Sequence, residues 1–502
     1  MKGENSGKSA LNHVLKYTGV FGGVQGLNIL MSIVRTKLTS YLLGPIGFAL
    51  MGVYVSVSEF VSSTSNLGVP FASVRHLSEV FARGDSREVG HWVLVIRTWC
   101  FWISLFAALL CVAGAHWLGQ WFGKDTEVSA WSITLLTPMV MALAITAGEI
   151  SILKAIRRLK RVATISVLAA LSTLCLTVPL FWAFGTRGII LALDVSTMAV
   201  TCIHLAFTTP LHPWRIAPFS RAVLQDGWQL VRVGLPYAFA AIAGSGVAMA
   251  LPALMIHYGT LEDVGFYRVG YGLMVTYAGI VFTAFEADFF PRLSAVNQDT
   301  QQRNQTINQQ ARVCLLLISP MLIALVTAMP LVIRLLNTTA FLPATGMAVC
   351  AAFYMFLRSV TVPMGYTALA CGDSAMFLLM EVIYDVVSLG LIFGGYLLLG
   401  LTGAGIGLSL SALFDLMLIG LVYGHFYHVR LSASTLRLAA AQGLLLAVTV
   451  VACMLLPGFW RAAVGILLLV LSTAYSYRIL ASETTLIQSL KQKIQKRLRL
   501  NS

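Results

Sequence analysis

Charged side chains are rare in long apolar stretches, because a charge at the centre of a bilayer costs about 2.5–3.5 kcal/mol on insertion scales. This sequence puts Arg35, Arg268 and Arg358 in such stretches, with Glu59, Glu149, Asp194, Glu286, Asp288, Glu381, Asp385 and Asp415. Their spacing groups them with other polar residues on single helical faces. Gln25, Asn28, Ser32 and Arg35 step by 3, 4 and 3, as do Ser56, Glu59, Ser63 and Asn66. Arg268 heads a small-or-polar face running to Glu286, and Tyr354, Arg358, Thr361 and Gly365 share another. Asp194, Thr197, Thr201 and His204 repeat the 3, 4, 3 step, and Glu381, Asp385 and Ser388 form a shorter stripe.

An arginine fork donates paired, charge-assisted hydrogen bonds, which suits a phosphate or diphosphate. A water-filled cationic cavity lined by Arg35, Arg268 and Arg358, with Gln25, Asn28, Glu59 and Asn66, is therefore expected as the substrate-binding site. The plainer reading is that small and polar residues join helices, with Arg35 snorkelling to the interface. The acids carry two readings as well. Glu149, Asp194, Glu381 and Asp385 are the candidates for sites where H+ or Na+ couples to transport, since buried carboxylates hold protons more tightly. Alternatively they pair with the cavity arginines.

The elements that position these residues follow from composition. Hydrophobic residues make up 58% of the 502 and charged residues 11%, against roughly 25% charged in soluble domains. Apolar windows long enough to cross about 30 Å of hydrocarbon recur along the chain. Fourteen spans are expected, near 15–36, 46–67, 92–118, 131–153, 162–184, 187–209, 233–257, 264–290, 311–336, 341–370, 375–399, 402–426, 436–456 and 459–479. The fold class is thus all-α and polytopic.

Most of the 34 Lys and Arg fall on one side of this arrangement, leaving only Arg35, Lys37, Lys124, Arg187, Arg334 and Arg461 opposite. The bias predicts both termini on the cytoplasmic side. It also explains the net charge of +14 without nucleic acid, which is not expected as a partner. The first apolar segment lacks a small-residue cleavage site and reads as a retained span. The eight cysteines lie in apolar runs without CxxC spacing and read as small hydrophobes. No Walker loop, HExxH or GxSxG occurs, so no catalytic residue, metal or cofactor is expected, and the chain is not read as an enzyme.

Two stretches echo one another. Gly47-Phe48 and Gly52 recur as Gly265-Phe266 and Gly270, and the exits His76-Leu77-Ser78 and Arg292-Leu293-Ser294 match. Such symmetry marks duplicated transporter bundles. The expected organisation is a six-helix bundle over 1–212, a pseudo-symmetric second over 213–430, and two further helices with a basic tail over 431–502.

Arg35, Leu43-Gly44-Pro45-x-Gly47-Phe48, Asn66-Leu67-Gly68 and Arg75-His76-Leu77-Ser78-Glu79, in that order, resemble the polysaccharide-transporter (Wzx-like) branch of the MOP (multidrug/oligosaccharidyl-lipid/polysaccharide) exporter superfamily. Phe290-Pro291-Arg292-Leu293-Ser294 is similar to that family's second-half signature. The resemblance implies a flippase moving undecaprenyl-diphosphate-linked oligosaccharide, such as an O-antigen or capsule repeat unit, between leaflets by alternating access. It implies residence in the bacterial inner membrane, contact with membrane lipids, and association with glycan polymerase machinery. Arg35 matches the family's motif position, whereas Arg268 and Arg358 come from the stripes alone. Asn66 stands where the family usually has an acid. A lipid II flippase, a MATE-type drug or cation antiporter and a membrane glycan polymerase are the alternatives. The antiporter prefers an acidic cavity, and the polymerase needs a large outer loop that this sequence lacks.

Overall fold

The computed structural model describes residues 2–122, 128–276, 279, 282 and 289–483, with side chains described from residue 26. Gln25, Lys124, Glu286, Asp288 and the basic tail are therefore outside what can be placed side chain by side chain. The described residues are almost wholly helical: α1 Lys2–Ser65, α2 Val69–Arg83, α3 Ser86–Trp121, α4 Ala130–Leu135, α5 Thr137–Ala155, α6 Leu159–Phe184, α7 Ile189–Thr208, α8 Arg221–Tyr258 and α9 Leu261–Tyr271. A π-helical turn, Gly272–Thr276, follows α9. Then come α10 Thr300–Leu336, α11 Ala344–Cys350, α12 Ala352–Ala370, α13 Ser374–Phe426, α14 Ala433–Leu455 and α15 Gly458–Glu483.

Ten runs among the described residues are long and apolar enough to cross a membrane. Three of them, Gly26–Ser65, Lys160–Thr208 and Ser374–Phe426, hold 40, 49 and 53 residues. At 1.5 Å per residue each is about twice the length a bilayer core requires. Each is broken near its middle. Gly44 interrupts α1 at φ 62, ψ −171, and Gly400 interrupts α13 at φ 62, ψ −145. Only glycine enters that region without strain. The two halves of α13 fold back to back, since a Cβ on Gly395 or Gly407 would run into the backbone of Gly403 or Leu391. The polytopic all-α architecture read from composition is the one observed.

The chain forms two compact units, Met1–Gly265 with Leu335–Ala340, and Phe266–Arg334 with Phe341–Ser502. In the first unit, α8 packs on α1, α2 and α3. Its crossing with the start of α2 is so close that a Cβ on Gly68 would meet the backbone of Gly234. Phe71 stacks on Tyr237 there, with ring centroids 3.8 Å apart. Around this crossing lies a core including Val69, Leu77, Val95, Ile96, Ile152 and Leu230. The segment 335–340 joins this unit through the Asn337 side chain, which accepts from Ser40 Oγ at 2.7 Å. Lys37 Nζ donates to the Asn337 carbonyl.

In the second unit, α12 packs on α13, and α14 pairs with α15 through a buried polar joint. Gln442 Nε2 donates to Ser476 Oγ at 2.9 Å, and Ser472 Oγ donates to Gln442 Oε1 at 2.7 Å. The repeat places α8 in the second half of the chain, whereas its packing is with the first unit; the division at 212/213 remains a proposal about duplication. All eight cysteines are free thiols, and Cys175 and Cys202 are exposed rather than buried.

Candidate functional site

Arg358 sits on α12 with Tyr354 one turn before it and Thr361 and Gly365 following on the same face. Arg358, Thr361 and Gly365 line a cavity of about 260 Å³, closed on other sides by Glu381 and Tyr384 from the first half of α13 and Asp415 from the second. The fold-back at Gly400 brings these two acid-bearing stretches together. Arg358 Nη1 lies 3.9 Å from Asp415 Oδ2. That distance is an ion pair without a hydrogen bond. The guanidinium stands 5.8 Å from the centre of the Tyr354 ring and within electrostatic reach of Tyr384 and Glu381. Asp385 feels both Glu381 and Arg358. With a third of its side chain exposed, Arg358 keeps donors available to an anion entering the cavity. Glu381 and Asp415 offer the same space to a cation or a proton.

A second ionic centre lies in the first unit. Arg97 on α3 and Glu149 on α5 are each 1% exposed. Nε donates to Glu149 Oε1 at 2.8 Å and Nη2 to Oε2 at 3.0 Å. Nη1 donates to the carbonyls of His212 and Pro213 at 2.8 and 2.9 Å, and Trp214 lies under the guanidinium at 5.0 Å. This bidentate pair closes on itself and ties the segment after α7 to α3. Burial, aided by the Arg97 charge, holds His212 below the usual imidazole range.

The remaining candidates are dispersed. Asp194 Oδ1 accepts from the Met139 N–H at 3.1 Å, capping α5 where Pro138 opens it. Thr201 from the same stripe bonds Thr146 at 2.8 Å, so this stripe joins α7 to α5. Asn66 Oδ1 accepts from the Gly68 N–H at 2.7 Å. It thereby shapes the turn in which Leu67 and Gly68 take positive φ of 53 and 70°. Asn28 Nδ2 donates to Ser166 Oγ at 3.1 Å. Arg35 and Glu59 are exposed on the first unit, Arg268 is half-buried in the second, and Gln25 lies outside the described side chains. The structure thus brings together Arg358, Glu381 and Asp385, and adds Asp415, Tyr354 and Tyr384. Arg97, counted from sequence only among the cytoplasmic-side basic residues, is the partner that reading missed; its one signal was Glu149 in the following span.

Residues 40–345 match a family described as polysaccharide biosynthesis protein. The chain belongs to that family. Its fold is shared with solved MOP-superfamily transporters. One is a multidrug resistance MATE family transporter in an inward-facing conformation, with a TM-score of 0.65 at 15% identity over 84% of this chain and 96% of that one. Another is the lipid II flippase MurJ in an inward closed conformation, with a TM-score of 0.67 at 13% identity over 92% and 99%. A MATE structure in complex with MaD3S gives a TM-score of 0.54 at 16% identity over 85% and 94%. No curated protein matches the chain. Family and fold together give a multi-span, all-α member of a polysaccharide biosynthesis family whose fold is that of MOP-superfamily transporters.

Proposed function

We propose that this transporter flips an undecaprenyl-diphosphate-linked oligosaccharide from the cytoplasmic to the outer leaflet of the bacterial inner membrane. Both termini lie in the cytoplasm in this reading, following the basic-residue bias. The observation that carries it is the open arginine of the α12–α13 cavity in a member of a polysaccharide family. Arg358 is held by charge but not saturated, so a diphosphate competes for it on good terms. Arg35 and Arg268 are the further cations offered to the substrate, with Gln25, Asn28, Glu59 and Asn66 as polar contacts. Glu381, Asp385 and Asp415 are the groups through which an H+ or Na+ gradient acts. Neutralising them releases Arg358 to the anion, and charging them draws it back. Glu149 and Asp194 take lesser parts, since one is engaged by Arg97 and the other caps α5. Membrane lipids and glycan polymerase machinery are its proposed neighbours.

The test is deletion of the gene, followed by analysis of surface polysaccharide and lipid-linked intermediates. Loss of surface glycan with accumulation of the lipid-linked unit is expected. Normal surface glycan would overturn the reading. Lipid II is the second reading, favoured by the fold shared with MurJ over nearly the whole chain. It predicts failing peptidoglycan synthesis with intact surface polysaccharide in the same strain.

A further inference from the structure

A groove of about 670 Å³ lies in the second unit between the start of α10 and the segment joining α13 to α14, within the roughly 300–1,000 Å³ usual for small-molecule sites. Two asparagines build it. Asn304 Nδ2 donates to the His428 carbonyl at 2.9 Å, and its Oδ1 accepts from the Arg430 N–H at 3.2 Å. One turn on, Asn308 Nδ2 donates to the Arg430 carbonyl at 2.8 Å, and its Oδ1 accepts from the Ser432 N–H at 2.7 Å. The amides thus hold the connecting backbone as an edge strand would be held. That pinning sets exposed His428 and Arg430 along the groove.

The facing wall is Gln301, Gln305, Gln309 and Arg312, spaced four, four and three along α10. The three glutamines are exposed, and none hydrogen-bonds through its side chain among the described residues. Asp299 is engaged in capping the helix through the N–H groups of Gln301 and Gln302. The groove lining carries amides and cations and no carboxylate.

The order of these groups along the helix matters. Arg312 is the last polar residue before Val313-Cys314-Leu315-Leu316-Leu317, where α10 becomes apolar. Gln301 stands roughly 16 Å further out at 1.5 Å per residue. A membrane-anchored sugar phosphate has the same order, with phosphate at the interface and hydroxyls beyond it. An amide side chain both donates and accepts, matching a hydroxyl that does the same. A surface for anionic phospholipid would instead gather 4–8 Lys or Arg.

We propose that this groove binds the phosphorylated sugar headgroup of a prenyl-linked glycan, phosphate toward Arg312 and Arg430 and sugar hydroxyls against Gln301, Gln305 and Gln309. The site is separate from the Arg358 cavity, with which it shares no lining residue. It rests on the flippase reading and the orientation above, under which it is a cytoplasmic loading station.

The test uses the full chain in phosphatidylcholine nanodiscs with two probes, a short-chain prenyl diphosphate and the same compound carrying an N-acetylhexosamine. Wild type is expected to bind the sugar-bearing probe about tenfold more tightly, the worth of roughly one well-placed polar contact. The double variant Gln305→Ala/Gln309→Ala should lose that preference, with the sugar-free probe and thermal midpoint unchanged. Arg430→Gln should weaken both probes alike. Absence of a sugar preference in wild type, or its persistence in the double variant, overturns the proposal. So does loss of the preference when phosphatidylglycerol is added to the disc, which would mark a general anionic-headgroup surface. Surface-glycan complementation is scored separately. Wild-type complementation with a neutral double variant sinks the groove alone, and failed wild-type complementation sinks the flippase reading.

Discussion

Each unit of this protein holds an arginine against a carboxylate inside otherwise apolar helices, and the two centres are built differently. Arg97 makes four hydrogen bonds to Glu149, His212 and Pro213 and is shut from solvent. Arg358 approaches Asp415 only to 3.9 Å, beside a cavity that also holds Glu381. A buried charge whose donors are all answered is part of the scaffold, because any change in its partner leaves the other charge stranded. A charge that is attracted but not saturated can exchange partners at little cost. Of the two, only the second fits the transport site proposed above.

The sharpest way to break this contrast is at the closed pair. Arg97→Met or Glu149→Leu alone should destabilise by about 3–5 kcal/mol, the usual cost of stranding one buried charge. The double apolar variant should recover much of that loss in a detergent thermal melt. A Glu149→Gln protein that melts like wild type yet loses gradient-driven transport would mean the closed pair is a coupling site after all. At the open site, Arg358→Ala should cut transport roughly 10- to 100-fold, from the ~1.5–3 kcal/mol of a charge-assisted hydrogen bond. Its thermal midpoint should stay near wild type. Arg358→Lys should recover only part of the activity, since an ammonium lacks the planar fork.

Smaller effects sharpen the contrast further. Asp415→Asn removes the carboxylate that competes for Arg358. A loosely held pair is worth about 0.2–1 kcal/mol, so affinity for a soluble diphosphate should rise no more than about fivefold. Weaker binding in that variant would mean Asp415 orients Arg358 for the anion instead of competing with it. The smallest effect concerns His212, whose carbonyl Arg97 grips and whose ring is held below the ordinary range by burial first and the Arg97 charge second. An unfolded histidine takes its proton near pH ~6.5. The folded state resists that proton, so the His212 contribution is intact above that pH and is lost as pH falls toward the lowered folded value. His212→Gln should therefore flatten the fall in thermal midpoint between pH 7.5 and 5.5 by about a degree. An unchanged slope would remove His212 from the account.

How much of this was readable from residues alone depended on what kind of partner each had. The α12 stripe announced Arg358 because its neighbours repeat at helical spacing, and hydropathy announced the spans because the bilayer sets their length. Arg97 stayed hidden for the opposite reason. Its partners are a carboxylate on another helix and two backbone carbonyls, and carbonyls leave no trace in a side-chain pattern. Asn66 and Asp194 fit polar stripes equally well, yet one shapes a turn and the other caps a helix. Spacing tells which residues share a face and is silent on whether that face meets water, ligand or another helix.

The glycine breaks at Gly44 and Gly400 bear on how this molecule can be studied. Topology mapping commonly splices a reporter or protease site between spans, trusting that the junction tolerates extra chain. At Gly44 the break rests on one residue, and at Gly400 on that glycine with Leu399 beside it, each glycine in a conformation that other residues enter only with strain. An insertion there would report on a damaged helical pair instead of a native one. The segment 210–220, which runs without regular helix between α7 and α8, is the better place for such a tag, provided His212 and Pro213 are left in the grip of Arg97.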